Sequence, residues 1–304
     1  MIRRITITGA SGFVGKNLVP YLSEREHCVH TLSLRSKEWK SLIPFTTEVI
    51  IHLAGKAHDT SNTSSADEYF TINRDLTIEL FNYFLESEAK DFFYFSSVKA
   101  VADTVEGTLV EDVLPKPYTP YGQSKQEAEQ YLLKAKLPEG KRMFIIRPCM
   151  IHGPGNKGNL NLLYKVVEKG IPWPLASFDN RRSFLSIDNL CYLVEQMMEN
   201  SKVPSGVYNF ADDTALSTNE LVSLIAKVSN KKPRLWHISK GFMNSIASVG
   251  DKIKLPLNSE RLKKLTENYV VSNEKVKKVL EIDKLPISAE EGLEKTIRSF
   301  RSYK

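Results

Sequence analysis

Three glycines spaced three residues apart, Gly9, Gly12 and Gly15, follow a β-branched run and open an apolar-periodic stretch, and this arrangement restricts the fold more than any other feature of the chain. Ile5 to Thr8 reads as a strand, while Phe13, Val14, Leu18, Val19 and Leu22 recur at helical spacing. A strand, a tight turn and a helix in that order need residues without a Cβ at the turn. Within Thr8-Gly9-Ala10-Ser11-Gly12-Phe13-Val14-Gly15 the glycines permit the turn itself, the approach of a pyrophosphate to backbone amides and close contact of helix with strand. A ligand-free glycine turn would have the same spacing; the flanking strand and helix argue against it.

The alternation begun there continues. Val29 to Leu34 and Glu48 to Ala54 read as strands, and residues 66–86 as helix. Phe92 to Ser97 is again a strand, Tyr121 to Lys134 a helix, and Met143 to Arg147 a strand that ends at Pro148. Strands that are apolar throughout and alternate with helices predict an α/β fold, a doubly wound parallel sheet covered on both faces. After Pro148 glycine- and proline-rich loops such as His152-Gly153-Pro154-Gly155 take over. The expected organisation is a dinucleotide-binding domain over 1–150 and a smaller substrate-binding lobe over 151–304, with segments near 184–215 able to return to the main sheet.

At 304 residues and 41% hydrophobic the chain can bury a large core. No window approaches the roughly 20 apolar residues of a membrane span, and the alternation after Met1 stops at Gly9 before a signal-peptide core could form, so a cytoplasmic location without membrane insertion is expected. Cys28, Cys149 and Cys191 are odd in number and far apart, which argues against a disulfide framework and suggests packed thiols. The net charge of +6 is uneven: residues 231–304 carry 17 Lys/Arg against 9 Asp/Glu. These basic residues alternate with acids along helical stretches as on a solvated face, and no nucleic-acid motif accompanies them, so no nucleic-acid partner is expected. Attraction of an anionic substrate is the functional alternative.

The acid that commonly binds an adenosine ribose should stand at the end of the second strand. Ser33 stands there instead, with Arg35 just beyond. A missing carboxylate beside a guanidinium favours a 2′-phosphate, hence NADP(H) over NAD(H), which remains possible. Tyr121 and Lys125, four apart at a helix start, share a face. A nearby ammonium and an oxidised nicotinamide would lower the phenol from its ordinary pKa of about 10 and make it a useful acid or base. Ser97, at the carboxyl end of the preceding strand, could help hold the reacting oxygen. His52 lies within a strand and reads as core. His58, in the following loop, could contact sugar or be solvated. No His/Asp/Glu cluster has metal-ligand spacing, so no metal is expected.

Together these motifs resemble the extended short-chain dehydrogenase/reductases that act on nucleotide sugars. The resemblance runs from the glycine turn through Phe95-Ser96-Ser97, Tyr121 to Lys125, and Arg147-Pro148-Cys149-Met150-Ile151-His152-Gly153-Pro154-Gly155 to Asp179-Asn180-Arg181-Arg182-Ser183-Phe184. It is closest to the bacterial branch of UDP-sugar 4-epimerases and 4-keto reductases of surface polysaccharide synthesis. It implies a Rossmann-type fold, Ser97, Tyr121 and Lys125 as the catalytic trio, and a homodimer through the helix that bears the tyrosine. It implies cofactor contacts from Gly9, Ser11, Gly12, Phe13, Val14, Gly15, Leu53, Ala54, Gly55, Asn73, Lys125 and Pro148. It also implies nucleotide-sugar contacts from Lys99, Asn159, Leu160 and Arg182. His152 departs from the family's frequent tyrosine, and Lys99 from its usual small residue. A non-catalytic cofactor sensor is disfavoured because all three catalytic residues are present. A 4,6-dehydratase is disfavoured because Val98-Lys99 stands where those enzymes carry acid/base carboxylates. The expected reaction is reduction of a C4 ketone of a UDP-4-keto-6-deoxy-hexosamine, with 4-epimerisation of a UDP-sugar as the alternative.

Overall fold

The computed structural model describes residues 2–56, 65–156, 158–253 and 258–302. Strand β1 (Arg4–Thr8) runs through the glycine turn into helix α1 (Phe13–Ser23), and β2 (Cys28–Leu32) follows. A 3-10 turn over Trp39–Leu42 is the sole regular element before β3 (Val49–His52). Helix α2 (Ala66–Tyr69), a π-turn (Phe70–Asp75) and α3 (Leu76–Glu86) run on from one another where the periodicity predicts a single helix. Next come β4 (Asp91–Phe95), β5 (Thr108–Leu109), α4 (Pro120–Lys134), β6 (Arg142–Pro148) and β7 (Met150–His152). The chain continues with α5 (Asn159–Glu168), β8 (Phe184–Ser186), α6 (Ile187–Glu199), β9 (Gly206–Phe210) and α7 (Thr218–Val228). It closes with α8 (Lys240–Ile253), α9 (Ser259–Thr266), β10 (Val270–Val271), α10 (Glu274–Leu280) and α11 (Ala289–Ser302).

Six strands form a parallel sheet in the order β2-β1-β3-β4-β6-β9. Both faces are buried, which is why these strands carry apolar residues at successive positions. Ile5, Ile7, Val49, Ile51, Phe93, Phe95, Phe144 and Ile146 join the core with Leu18 and Leu22 of α1 and Leu190, Leu193 and Val194 of α6. The alternate residues Ile50, Phe92, Tyr94, Met143 and Ile145 join Leu80, Phe81 and Phe84 of α3 and Ala128 and Leu132 of α4. Each fully buried side chain of this size contributes about 1.5–3 kcal/mol. At the N-terminal edge of the sheet the register partners Asp91 and Arg142 close a two-pronged ion pair at 2.7 and 2.8 Å.

Strand β9 and helix α6 therefore belong to the sheet layer although they follow the glycine-rich loops. The rest of the C-terminal half gathers α5, α7, α8, α9 and α11 around a separate core that includes Leu160, Tyr164, Trp173, Leu221, Ile225, Met243, Leu262 and Leu293. Two small parallel ladders, β7 with β8 and β5 with β10, join this lobe to the C-terminal ends of the sheet strands. Cys149 and Cys191 are packed thiols as expected, but Cys28 is exposed, because β2 is an edge strand whose side chains lack a covering helix at that position.

Candidate active site

The sheet order reverses between β1 and β3, and the glycine turn lies at that switch point. Gly9 has φ of +71°, and a Cβ there would stand 2.5 Å from the Ala54 nitrogen, so turn and loop touch backbone to backbone. A Cβ on Gly15 would stand 2.5 Å from the Ala10 Cα. Gly12 is the N-cap of α1 and supplies no side-chain hydrogen bond, which leaves the helix's first amides free to meet an anion. Ser11 is exposed and Phe13 and Val14 are half-buried at this rim. Phe13 also reaches the loop after β7, since a Cβ on Gly153 would stand 3.3 Å from its ring. The pyrophosphate of a dinucleotide fits this cradle. Ser33 and Arg35 follow β2 and are both exposed, and the Arg35 amide donates to Ser33 Oγ at 3.4 Å.

Helix α4 starts at a well-built N-terminus: Thr119 caps it by accepting from the Gly122 amide, and Pro120 occupies its first turn. Asp103, buried and absent from the sequence reading, fixes that cap by accepting from the amides of Tyr118 (2.9 Å) and Thr119 (3.3 Å) and from the Thr119 hydroxyl (3.1 Å). Gly122 is needed because a Cβ would stand 2.4 Å from the Lys99 carbonyl oxygen. The helix thereby presses Tyr121 against the segment that holds Ser97, and the two hydroxyls are hydrogen-bonded. Ser97 Oγ also accepts from the Lys99 amide at 3.2 Å. Lys125 is buried, donates to the Phe95 carbonyl at 2.8 Å and sits 4.9 Å from the centre of the Tyr94 ring. Gly55 faces the ammonium, since a Cβ there would stand 3.3 Å from Lys125 Nζ.

Burial pushes Lys125 down to about 8, against a smaller pull upward from Glu129. Burial also raises Tyr121, a shift opposed by its bond to Ser97 and aided by the neighbouring Tyr69 phenol. Among the chain's own groups the lowering expected from the Lys125 ammonium does not appear, because desolvation of the phenolate outweighs the hydrogen bond. Tyr69 meets Tyr121 edge-on at 6.1 Å. One helical turn beyond Lys125, Glu129 accepts from Arg147 (2.5 Å) and from Ser96 (2.5 Å). This buried pair locks α4 to β6 one turn along from Lys125.

Asn73, in the π-turn, is fully buried and joins three segments: its Oδ1 accepts from the Lys56 amide (2.7 Å), and its Nδ2 donates to the Lys56 carbonyl (3.1 Å) and Ser124 Oγ (3.2 Å). Leu53 and Ala54 are half-buried beside it, and Pro148 ends β6 opposite Phe210. His58 lies outside the described residues. His52 is core, as read.

The residues expected to meet a substrate divide. Lys99 Nζ donates to the Asp103 carbonyl at 2.7 Å and lies 4.3 Å from the Tyr269 ring centre. Arg182 donates to the Lys264 and Glu267 carbonyls and pairs with the Glu267 carboxylate at 3.5 Å. Burial lowers both cations; Asp103 and Glu267 pull Lys99 back up while Arg182 adds to its lowering, and Glu267 opposes the lowering of Arg182. Leu160 is 3% exposed, its side chain packed in the lobe core, and Asn159 opens the same helix. His152 is buried against Thr296 (2.9 Å) and Asp212 (3.6 Å) and tethers β7 to α11.

Among the described residues one trio has metal-ligand spacing, His27 with Glu195 and Glu199. It sits at the opposite, N-terminal edge of the sheet. His27 Nδ1 accepts from the Arg3 amide at 3.1 Å, so the ring proton is on Nε2 and the imidazole presents no lone pair to an ion.

A parallel sheet with a glycine turn at its switch point and a Ser/Tyr/Lys cluster at the strand ends defines an α/β protein of the Rossmann-like, dinucleotide-binding class. Residues 5–211 match the model of the NAD dependent epimerase/dehydratase family, and the chain belongs to that family. It is 32% identical over 258 residues to a UDP-glucose 4-epimerase from Vibrio cholerae, covering 76% of this chain and 77% of the relative. It is 26% identical over 247 residues to the GDP-6-deoxy-D-mannose reductase of Pseudomonas aeruginosa, covering 75% and 81%. The solved structure of MoeE5 in complex with UDP-glucose and NAD shares the fold with a TM-score of 0.75 at 20% identity, over 99% of each chain.

Proposed function

We propose that this protein reduces the C4 ketone of a UDP-4-keto-6-deoxy-hexosamine, with NADPH preferred, in the synthesis of a surface polysaccharide. The observation that carries the reading is the thin wall on the adenosine side of the cofactor cradle. Between β2 and β3 the chain forms one 3-10 turn, and the end of β2 offers Ser33 and Arg35 rather than a carboxylate. A reductase must release its cofactor each turnover, whereas an epimerase holds it through oxidation and re-reduction of one sugar. Fewer cofactor contacts favour the reductase, and Arg35 suits a 2′-phosphate.

When bound, the nicotinamide would supply a hydride to the ketone carbon. The chain's own residues have three tasks. Tyr121, kept neutral by its surroundings, donates its proton to the carbonyl oxygen as negative charge develops there. Ser97, bonded to Tyr121, steadies the same oxygen. Lys125, held by the Phe95 carbonyl, orients the nicotinamide ribose and favours the phenolate left after proton transfer. Lys99 and Arg182, both disfavoured as cations by burial, would be relieved by the substrate's diphosphate.

The 32% identity to a UDP-glucose 4-epimerase favours the second reading, 4-epimerisation of a UDP-sugar. Stoichiometry separates the two. A UDP-4-keto-6-deoxy-hexosamine supplied with NADPH is expected to consume one cofactor per product. Interconversion of UDP-GlcNAc and UDP-GalNAc with no net change in cofactor absorbance would establish the epimerase instead.

A further inference from the structure

Behind the catalytic trio a line of buried hydrogen bonds runs from the glycine turn to the helix of Tyr121. Thr8 ends β1, His52 ends β3 and Thr77 lies in α3, and none is more than 1% exposed. Thr8 Oγ1 accepts from the Ala54 amide (3.2 Å) and lies 2.7 Å from His52 Nδ1. His52 Nε2 lies 3.0 Å from Thr77 Oγ1, which donates to the Asn73 carbonyl at 2.8 Å. The Asn73 side chain donates to Ser124 Oγ (3.2 Å), and Ser124 donates to the Tyr121 carbonyl (2.8 Å).

The proton positions follow from counting donors. Thr77 spends its hydrogen on Asn73, so it must accept from His52, which places the ring hydrogen on Nε2. His52 Nδ1 is then an acceptor for the Thr8 hydroxyl, whose own oxygen receives the Ala54 amide. Every hydrogen in the line has an acceptor with the imidazole neutral. We infer that His52 is a positioning residue for the hydride-transfer site, setting the 53–56 loop and Asn73 in register with the glycine turn and the Tyr121 helix. The inference rests on the reading of Ser97, Tyr121 and Lys125 as catalytic.

Two further observations support it. Ala54 is the residue that the Gly9 turn touches backbone to backbone, so a displaced 53–56 loop displaces the turn as well. His52 stacks on Tyr94 at 5.9 Å, the ring over which Lys125 Nζ lies. Burial, reinforced by the Lys125 charge, holds His52 down at about 3, so its hydrogen-bond directions persist across neutral pH. A fully apolar residue would fill the same volume without specifying any orientation, and buried polar networks specify geometry because a mispaired member is costly.

The test is His52→Phe, which keeps a ring against Tyr94 and removes both the acceptor of the Thr8 hydroxyl and the donor to Thr77 Oγ1. Losing two neutral buried hydrogen bonds is expected to weaken NADPH binding by about 10- to 30-fold. In turnover assays the loss should fall on the cofactor KM more than on kcat. Thr77→Val should reproduce the effect and Thr77→Ser should restore the parent affinity, a rescue that general loss of packing does not produce. Unchanged NADPH affinity in His52→Phe, by titration of intrinsic fluorescence, overturns the inference. Should that variant fail to fold, equal affinities in Thr77→Val and Thr77→Ser overturn it. Because binding is measured without turnover, failure of the catalytic reading shows separately, as retained turnover in Tyr121→Phe.

Discussion

At the residue scale the proposed mechanism depends on two groups that burial moves in opposite directions. Tyr121 stays a phenol, and replacing it with Phe removes the donor while leaving the glycine cradle untouched. Turnover should fall at least 10²- to 10⁴-fold with NADPH affinity little changed, as single-turnover kinetics and a binding titration would show. Lys125 is held down to about 8, and its charged form is the one that favours the phenolate. The kcat/KM for reduction should therefore be level below pH 8 and decline as pH rises through about 8, a limb absent from Lys125→Met once its lower baseline is allowed for. The same shift acts on stability with the opposite trend. An unfolded lysine keeps its proton to about 10.5 and the folded one only to about 8, so the Lys125 contribution to unfolding free energy rises with pH between those values. At the cofactor's far end, Arg35→Ala should narrow the preference for NADPH over NADH, and equal affinities in the parent protein would show that Arg35 meets no 2′-phosphate.

At the scale of elements, what was legible in the sequence is what repeats locally. Glycine spacing and helical periodicity mark the strand-turn-helix unit, and a four-residue interval on one helix face marks the Tyr121/Lys125 pair. Residues whose partners are set by strand register left no such trace. Thr8 and His52 are 44 positions apart and meet because β1 and β3 are neighbours, and Asn73 reaches Ser124 across 51 positions. Asp103 and the Glu129–Arg147 pair belong to the same group, since nothing in their local sequence marks them as supports of α4. The π-turn at Phe70–Asp75 looks like ordinary helix in sequence because one added residue per turn barely disturbs an apolar pattern, yet it is this turn that carries Asn73. The glycine turn allows a direct test of close packing. Gly15→Ala would set a methyl 2.5 Å from the Ala10 Cα and 2.6 Å from the Gly9 oxygen, so α1 must shift away from the loop. Overpacking of this kind costs about 1–3 kcal/mol. A lower urea midpoint and at least tenfold weaker NADPH binding are expected. Gly241→Ala, in α8 with nothing within 4 Å, should instead be neutral or slightly stabilising, because it lacks any clash and gains helix propensity.

For the whole molecule the informative fact is where the sheet's core comes from. One face of β1, β3, β4 and β6 is covered by Leu190, Leu193, Val194, Met197 and Met198 of α6, and the same cluster takes in Tyr208 and Phe210 of β9, Tyr269, Val271 and Leu285. The change of texture after Pro148 suggested a lobe boundary there, and periodicity could not show how fully the later segments fold back, because returning to an edge strand depends on contacts made across the whole chain. A fragment of residues 1–150 would keep the glycine turn and the Ser97, Tyr121 and Lys125 cluster. It would keep the α1 part of that cover but lose all that α6, β9 and the later segments supply, and β6 would become an exposed apolar edge. With each lost large side chain worth about 1.5–3 kcal/mol, the deficit exceeds the roughly 5–15 kcal/mol that holds an ordinary domain folded. The fragment should therefore be insoluble, or compact without fixed tertiary packing. Far-UV dichroism would then persist while near-UV dichroism is lost and a hydrophobic dye binds. The intact chain should lose its sheet and its second lobe together in urea, with near-UV and far-UV signals coincident. A fragment 1–150 that unfolds cooperatively on its own, with native near-UV dichroism, would show that α6 and β9 only cap a core that is already sufficient.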